Sequence, residues 1–515
     1  MQKPSSVYGL SSGTLSSIFE FAVNVSRSPE ETTEVPLTVS QVCGAWRKSA
    51  LRHPPLWTNV LLGVRGDKSL ERSTEFLRRS RTLQVCITFD MQGAREDPPG
   101  LKERLAFLST YEHRICALHI QGATTAVPIH RFLHELDLNF TNLKDFQITW
   151  GKSTARCAKS FPVIFGDQVP AELPPYHLQL SPHDKFTNLT RFALKAYDHR
   201  LNIQLDQLLE TLGGNPTLQN LELEGFYFDS EDDELDDDDE DPESGKSILQ
   251  LPHLRFLSLK QCLSGAILPR INIPSTADVM LVANDPFDPD EYDSDPPSLL
   301  YAFPRCFDEL PFIGKFQTLD FEIRDSGVTL RASQPSGQYL LIEQVPNPDS
   351  LYNNTIEEMA LSSAIAFACS EFGPVTTIRA SNRLSESNRG ALRDADSYQV
   401  DRWLSSMTEL ENLEISYFPL KFLGGFAGGE DLSILAVKEV NITLYPNECG
   451  DFKEIEAWVK ARVEAQLPFK KLEVFLDCSV PASPPVDEKV VHSLRSSLAQ
   501  YVKDVVVQVL CSPPQ

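Results

Sequence analysis

The strongest constraint in this chain is a short apolar spacing that keeps returning. A leucine, two variable residues, an apolar residue, one variable residue and a second apolar residue occur as Leu143, Phe146 and Ile148, then as Leu189, Phe192 and Leu194. Further copies are Leu218, Leu221 and Leu223, then Leu254, Leu257 and Leu259, then Leu410, Leu413 and Ile415, with a variant at Phe316, Leu319, Phe321 and Ile323. Apolar residues two apart share one face of a strand, which is the pattern of a strand with one buried side. A single copy carries little weight. Six in one chain predict a set of short strands presenting their apolar sides alike.

Several of these strands follow helical spacings. Leu205, Leu208, Leu209 and Leu212 recur on one helix face, with Gly213-Gly214 as a stop. Leu101, Leu105 and Leu108 precede a strand over 115–120, Val400, Trp403, Leu404 and Met407 precede the copy at Leu410, and Phe452, Ile455, Val459 and Val463 precede a strand over 472–476. Strand, helix and strand in the 29 residues from Leu189 to Leu218 make one parallel crossover unit. Leucines at these offsets in stacked units resemble the leucine-rich repeat family, whose period is about 20–29 residues. The leading leucines at 143, 189, 218 and 254 are irregularly spaced, at 46, 29 and 36. The resemblance implies an α/β fold, an irregular leucine-rich-repeat-like solenoid of parallel strands alternating with helices over residues 61–515, with a terminal helix near 489–501. Residues 151–185, 284–297 and 381–396 read as loops.

The 515 residues are 41% apolar and 23% charged, which rules out collagen, wholesale disorder and a small disulfide scaffold. No apolar run approaches the roughly 20 residues of a bilayer span, the first six residues lack a signal-like apolar segment, and Cys511 is one place too early for prenylation. The expected location is cytoplasmic, nuclear or both, with no membrane partner. Ten cysteines are nowhere closer than 29 apart, so no close pair of metal ligands is present and no metal or cofactor is expected. Twelve of the fifteen residues 229–243 are acidic. Removing those twelve charges from the net of −25 leaves −13, which argues against a nucleic-acid partner, because phosphate binding depends on Lys and Arg displacing counterions. Taken out of the 36-residue interval, the fifteen leave 21, so the run reads as a self-repelling, disordered loop insertion at about 229–247.

Residues 1–60 differ from the rest. Leu15, Ile18, Phe19 and Ala22 form an apolar stripe on one short helix. A polar interruption over 26–34 follows, and Pro36 suits the first turn of a second helix, along which Val39, Val42, Cys43, Trp46 and Ala50 continue until Pro54-Pro55 stops it. Helices this small cannot bury that much apolar surface alone, so the surplus needs a partner chain or the neighbouring strands.

The run Val39-Ser40-Gln41-Val42-Cys43-Gly44-Ala45-Trp46-Arg47-Lys48-Ser49-Ala50, followed by His53-Pro54-Pro55-Leu56-Trp57, closely resembles the second half of an F-box, and Leu15-Ser16-Ser17-Ile18-Phe19 resembles its first helix. The whole chain is similar to the F-box-like, leucine-rich-repeat proteins expanded in mushroom-forming fungi. It departs from the usual opening, since Leu10 is followed by Ser11-Ser12-Gly13, and Gly44 stands where a basic residue is common. The resemblance implies binding rather than chemistry. The box would hold a Skp-type adaptor, through it a cullin–RING ubiquitin ligase, and the repeats would hold an unknown protein substrate. Leu10, Leu15, Ile18, Phe19, Val39, Val42 and Trp46 are the implied adaptor contacts, whereas Trp57, past the helix stop, reads as core. Proximity supplied in trans needs no catalytic side chain here.

Enzyme motifs are weak. Gly9-Leu10-Ser11-Ser12-Gly13 matches a nucleophile elbow but has only eight residues before it and no strand pattern. His130 and His134 share a helical face without the glutamate of a zinc helix. Two readings stay open: the substrate-recognition subunit of a Skp–cullin–F-box ligase, and a protein-binding repeat scaffold whose degenerate box no longer recruits one.

Overall fold

The computed structural model describes residues 10–26, 28–64, 67–92, 100–123, 132, 135, 140–150, 188–196, 201–229, 248–260, 267–284, 316–324, 327–345, 375–383, 409–417, 437–445, 452–477 and 486–510. The helix expected at 400–407, the loops at 151–185 and 285–297, and the acidic run beyond Asp229 lie outside these residues. The described chain is mixed α/β with mostly parallel strands, and it divides into two compact units, Met1–Arg255 and Phe256–Gln515.

The first unit opens with α1 (Ser12–Asn24), α2 (Pro29–Val42) and α3 (Gly44–Leu51). It continues through β1 (Asn59–Gly63), α4 (Asp67–Arg79), β2 (Val85–Asp90), α5 (Leu101–Tyr111), β3 (Ile115–Ala123), β4 (Asp145–Trp150), β5 (Arg191–Ala196), β6 (Leu201–Gln204), α6 (Leu205–Gly213), β7 (Asn220–Glu224), β8 (Phe226–Asp229) and β9 (Leu249–Gln250). Strands pair in the order β1-β2-β3-β4-β5-β7, all parallel, while β6 and β8 form a separate parallel pair. The repeated spacing explains the register. Val60, Ile87, Leu118, Phe146, Phe192 and Leu221 lie opposite one another in one row, and Leu62, Phe89, Ile120, Ile148, Leu194 and Leu223 in the next. Every one of these side chains is buried. A slip of one residue would turn each row to the other face, so burial of the rows specifies the pairing.

The leading leucines serve the turns. Leu143, Leu218 and Leu254 each donate a backbone N–H to the carbonyl three residues earlier and have a buried side chain. Asn215 does a similar service with its side chain: buried after α6, its Oδ1 accepts from the Leu189 N–H at 2.8 Å and its Nδ2 donates to the Thr211 carbonyl. Gly225, with φ of +79°, ends β7 so close to β5 that a Cβ would sit 2.0 Å from the Ala196 carbonyl oxygen.

The second unit contains β10 (Phe256–Lys260), β11 (Ile271–Asn272), β12 (Asp278–Asn284), β13 (Thr318–Arg324), β14 (Gly327–Ser333), β15 (Tyr339–Val345), β16 (Thr377–Arg383), β17 (Asn412–Ser416), β18 (Glu439–Leu444), α7 (Lys453–Glu464), β19 (Lys471–Asp477), α8 (Glu488–Leu498) and β20 (Asp504–Leu510). Its strands follow the order β10-β12-β15-β14-β13-β16-β17-β18-β19-β20. Again two inward rows run through it, one being Leu319, Ile378, Leu413, Val440, Leu472 and Val505.

Two expectations change here. The strands are not uniformly parallel: β14 runs antiparallel to both β13 and β15. Between β14 and β15, Gln334 donates to Gln338, Gly337 donates to Gln334, and Gly337 adopts φ of +98°, so a Pro-Ser-Gly turn folds the chain back where a crossover was expected. Residues 381–383 are strand rather than loop, because β16 continues alongside β13 to Arg383. The terminal helix forms at Glu488–Leu498.

Candidate functional site

The leading helices carry the residues expected to bind a partner. Ser11 starts α1 by accepting the Thr14 N–H at 3.1 Å. Ser28 starts α2 in the same way, accepting the Glu31 N–H at 3.2 Å, with Pro29 in the first position and Glu30 and Glu31 in the first turn. The second helix therefore begins at Pro29 and carries Pro36 inside it, and residues 29–34 of the segment read as a polar interruption are its first turns. Its end also differs from the expectation. Cys43 is fully extended, and its Sγ accepts from the Trp46 N–H at 3.5 Å, so one expected helix is two, α2 and α3, hinged at Cys43-Gly44.

α1, α2 and α3 pack against one another. Leu15 and Val39 are buried and Phe19 is fully so, while Trp46 lies half-exposed with its ring 5.2 Å from that of Phe19. In this chain these side chains close the cluster from within, so the outward projection expected of Leu15, Phe19 and Val39 is not their position. The reason is angular. Leu15 and Phe19 are one turn apart, but Ile18 is displaced by about 100° around the axis, and it faces solvent. Leu10 is exposed, and Val42 is 57% exposed.

Three further side chains join them. Phe21 is 67% exposed, and Val25 and Leu51 are exposed as well. Ile18, Phe21 and Val25 are spaced i, i+3 and i+7, a second stripe on α1 that the sequence displays as clearly as the first. Six of the ten exposed large hydrophobic residues among the described residues thus fall between Leu10 and Leu51. Isolated exposed leucines are ordinary, so it is their concentration on one small helical cluster that sets this segment apart.

The cluster is anchored to the sheet. Arg72 of α4 donates to the Thr33 carbonyl at 3.0 Å and pairs with Glu34 at 3.0 Å, and Gln121 of β3 donates to Glu30 at 3.0 Å. Burial raises the Asp90 carboxyl above its ordinary value, the Gln92 N–H opposes this, and Glu30 pushes it up further. His53, just past α3, meets Glu20 of α1 at 2.7 Å. Trp57 is fully buried, as expected, edge-on to Phe76 at 5.0 Å and under the Arg79 guanidinium at 4.2 Å.

No protein-family model matches the chain, and no curated protein matches it either. Among the described residues, no group of three or more His, Cys, Asp or Glu side chains is arranged to hold a metal ion, and no helix is long and apolar enough to cross a membrane. Ser11, the centre of the elbow-like motif, spends its hydroxyl on capping α1. His130 and His134 lie outside the described residues.

On the outer face of the first unit's sheet, charged side chains pair from strand to strand. Arg191 reaches Glu222 at 2.6 Å and Asp145 at 3.8 Å, and Lys195 reaches Glu222 at 2.5 Å. Burial raises the Glu222 carboxyl, but Lys195 and Arg191 outweigh it and hold the group below its ordinary range.

Proposed function

We propose that this chain is the substrate-recognition subunit of a Skp–cullin–F-box ubiquitin ligase, acting in the cytoplasm or nucleus. The helical cluster α1–α3 would be its F-box-like domain, binding a Skp-type adaptor. The strand-and-helix units that follow would be a degenerate leucine-rich-repeat solenoid, presenting a protein substrate on the outer sheet face. One observation carries the reading: the cluster seals its own interior with Leu15, Phe19 and Val39 yet leaves Leu10, Ile18, Phe21, Val25, Val42 and Leu51 in solvent. Burying a side chain of this size gains roughly 1.5–3 kcal/mol, so a few of them suffice for a specific helix-packed interface. The resemblance of residues 39–57 to an F-box supplies the identity of the partner. The buried turn leucines and the in-register apolar rows support the repeat reading of the remainder.

The test is co-purification with a Skp-type adaptor. The wild-type chain should retain the adaptor at micromolar concentration, and Phe21→Asp combined with Val42→Asp should lose it while the fold is kept. A wild-type chain that does not bind at that concentration would leave the scaffold reading in its place.

A further inference from the structure

The outer face of the first unit brings together three groups that the ligase reading does not use. Cys86 on β2, His119 on β3 and Asp145 on β4 come from three neighbouring strands. His119 Nε2 lies 3.2 Å from Asp145 Oδ2, and its Nδ1 lies 3.8 Å from Cys86 Sγ. A one-residue irregularity between β2 and β3 sets this up. Val85 pairs with Ile115 but Cys86 pairs with Ala117, so His119 falls opposite Thr88 and reaches back between the thiol and the carboxylate. Asp145 is held in turn by Gln147, whose Nε2 donates to both carboxylate oxygens at 3.0 and 3.1 Å, and it has Arg191 at 3.8 Å.

A carboxylate on Nε2–H leaves Nδ1 directed at the sulfur, and sulfur is a weak partner for an imidazole that serves only structure. A thiol beside an imidazolium that a third group orients is an arrangement that activates thiols. Burial pulls the His119 imidazole down, but the hydrogen bonds to Asp145 and Cys86 outweigh it and raise the group to about 9. Burial pushes Asp145 up, while His119, Gln147 and Arg191 hold it below its ordinary value. Both His119 and Asp145 keep about a quarter of their side-chain surface open to solvent, and Cys86 is half-buried. Thr88, opposite His119 on the same face, is buried.

We propose that Cys86 is a modification site: a nucleophilic thiol that adds to small α,β-unsaturated carbonyl compounds, with the His119 imidazolium stabilising its thiolate and supplying a proton, and Asp145 positioning the imidazole. The thiol releases its proton to solvent, leaving the thiolate beside the His119 imidazolium, and a sulfur electron pair forms a bond to the β-carbon. The carbon–carbon π pair moves onto the α-carbon as an enolate, the His119 Nδ1–H protonates it there, and the imidazole regains a proton from solvent. One S–H bond is exchanged for one S–C and one C–H bond, and no oxidant is needed. The adduct would stand beside the Asp145–Arg191–Glu222 series of ion pairs, so a small electrophile arriving at Cys86 would alter the charged surface of this face.

The experiment treats the full chain with limiting N-ethylmaleimide at neutral pH and reads the occupancy of each cysteine by peptide mass spectrometry over time. Cys86 should react about tenfold faster than both Cys43 and Cys116, and His119→Gln should remove about that factor from Cys86 while Cys43 keeps its rate. Asp145→Asn, which keeps the shape of the side chain, should slow Cys86 in the same direction. The wild-type comparison decides by itself: Cys86 reacting no faster than Cys43 and Cys116 overturns the proposal. An unchanged Cys86 rate in folded His119→Gln overturns it as well.

Discussion

The indole Nε1 of Trp57 donates to the Ala50 carbonyl across 2.8 Å, joining the end of α3 to the turn that enters the first sheet. With Phe76 against its edge and Arg79 over its face, this one side chain closes the space between the leading helices and α4. Trp57→Ala should cost about 3–5 kcal/mol in urea denaturation, the range for emptying a fully buried aromatic site. Trp57→Phe fills most of the volume but leaves the carbonyl without its donor, and the loss should be smaller, about 1–3 kcal/mol.

The leading helices separate stability from binding. Phe19→Ala should lower stability by about 3–5 kcal/mol, since the ring is fully buried against Trp46. Ile18→Asp and Phe21→Asp, on the exposed stripe, should shift stability by only about 0.5 kcal/mol and weaken adaptor capture instead. Thermal unfolding and adaptor pull-down, measured side by side, check both halves. Capture that survives every exposed-stripe substitution would remove this surface from the account.

In each unit a buried guanidinium ties down the turns between elements. Arg114 donates to the Leu83 and Leu77 carbonyls and to Ser80 Oγ at 2.6 Å. Arg462 of α7 donates to Leu467 and Val437, both at 3.1 Å, with its guanidinium 4.5 Å from the Phe469 ring, and burial lowers it to about 10. A lysine has one point charge and no planar fork, so Arg114→Lys and Arg462→Lys should each cost about 1–3 kcal/mol in denaturant melts. Wild-type stability in either variant would show that the fork is dispensable.

His119 predicts a direction for alkaline pH. Its folded value of about 9 stands above the ordinary 6.5, so its contribution is complete below 6.5 and is lost as pH rises through 9. Stability of the first unit should therefore decline between those values by a step that His119→Gln removes. Asp145, held below its ordinary value, works the other way and loses its contribution as pH falls into the acid range. Denaturation midpoints at a series of pH values, compared between wild type and His119→Gln, supply the check.

Gly225 leaves little room for a methyl group. Its positive φ alone costs about 1–3 kcal/mol for an L side chain, and the Ala196 carbonyl 2.0 Å from the added Cβ forces β5 and β7 to move. Gly225→Ala should lower the melting temperature well beyond the effect of Gly213→Ala, where the nearest atom is a Leu249 methyl at 3.5 Å.

The strands were legible along the chain because alternation is a local property: Phe146 and Ile148, or Leu221 and Leu223, announce a buried face whatever pairs beside them. Two further copies carry a lead residue other than leucine, as the Phe316 variant does. Val437 precedes Val440 and Ile442, Phe469 precedes Leu472 and Val474, and both lead residues are buried like the leucines. The start of α2 was also present in Ser28-Pro29-Glu30-Glu31, a stronger opening than Pro36. Folding in three dimensions decided the rest. An apolar stripe says that a helix has a face, but which of Ile18 and Phe19 is enclosed depends on where α2 and α3 lie against it. The reversal at β14 depends on a Pro-Ser-Gly turn winning over a crossover. Cys86, His119 and Asp145 are separated by 33 and 26 residues, and only the register of three parallel strands, set by burial on their opposite face, brings the three side chains together.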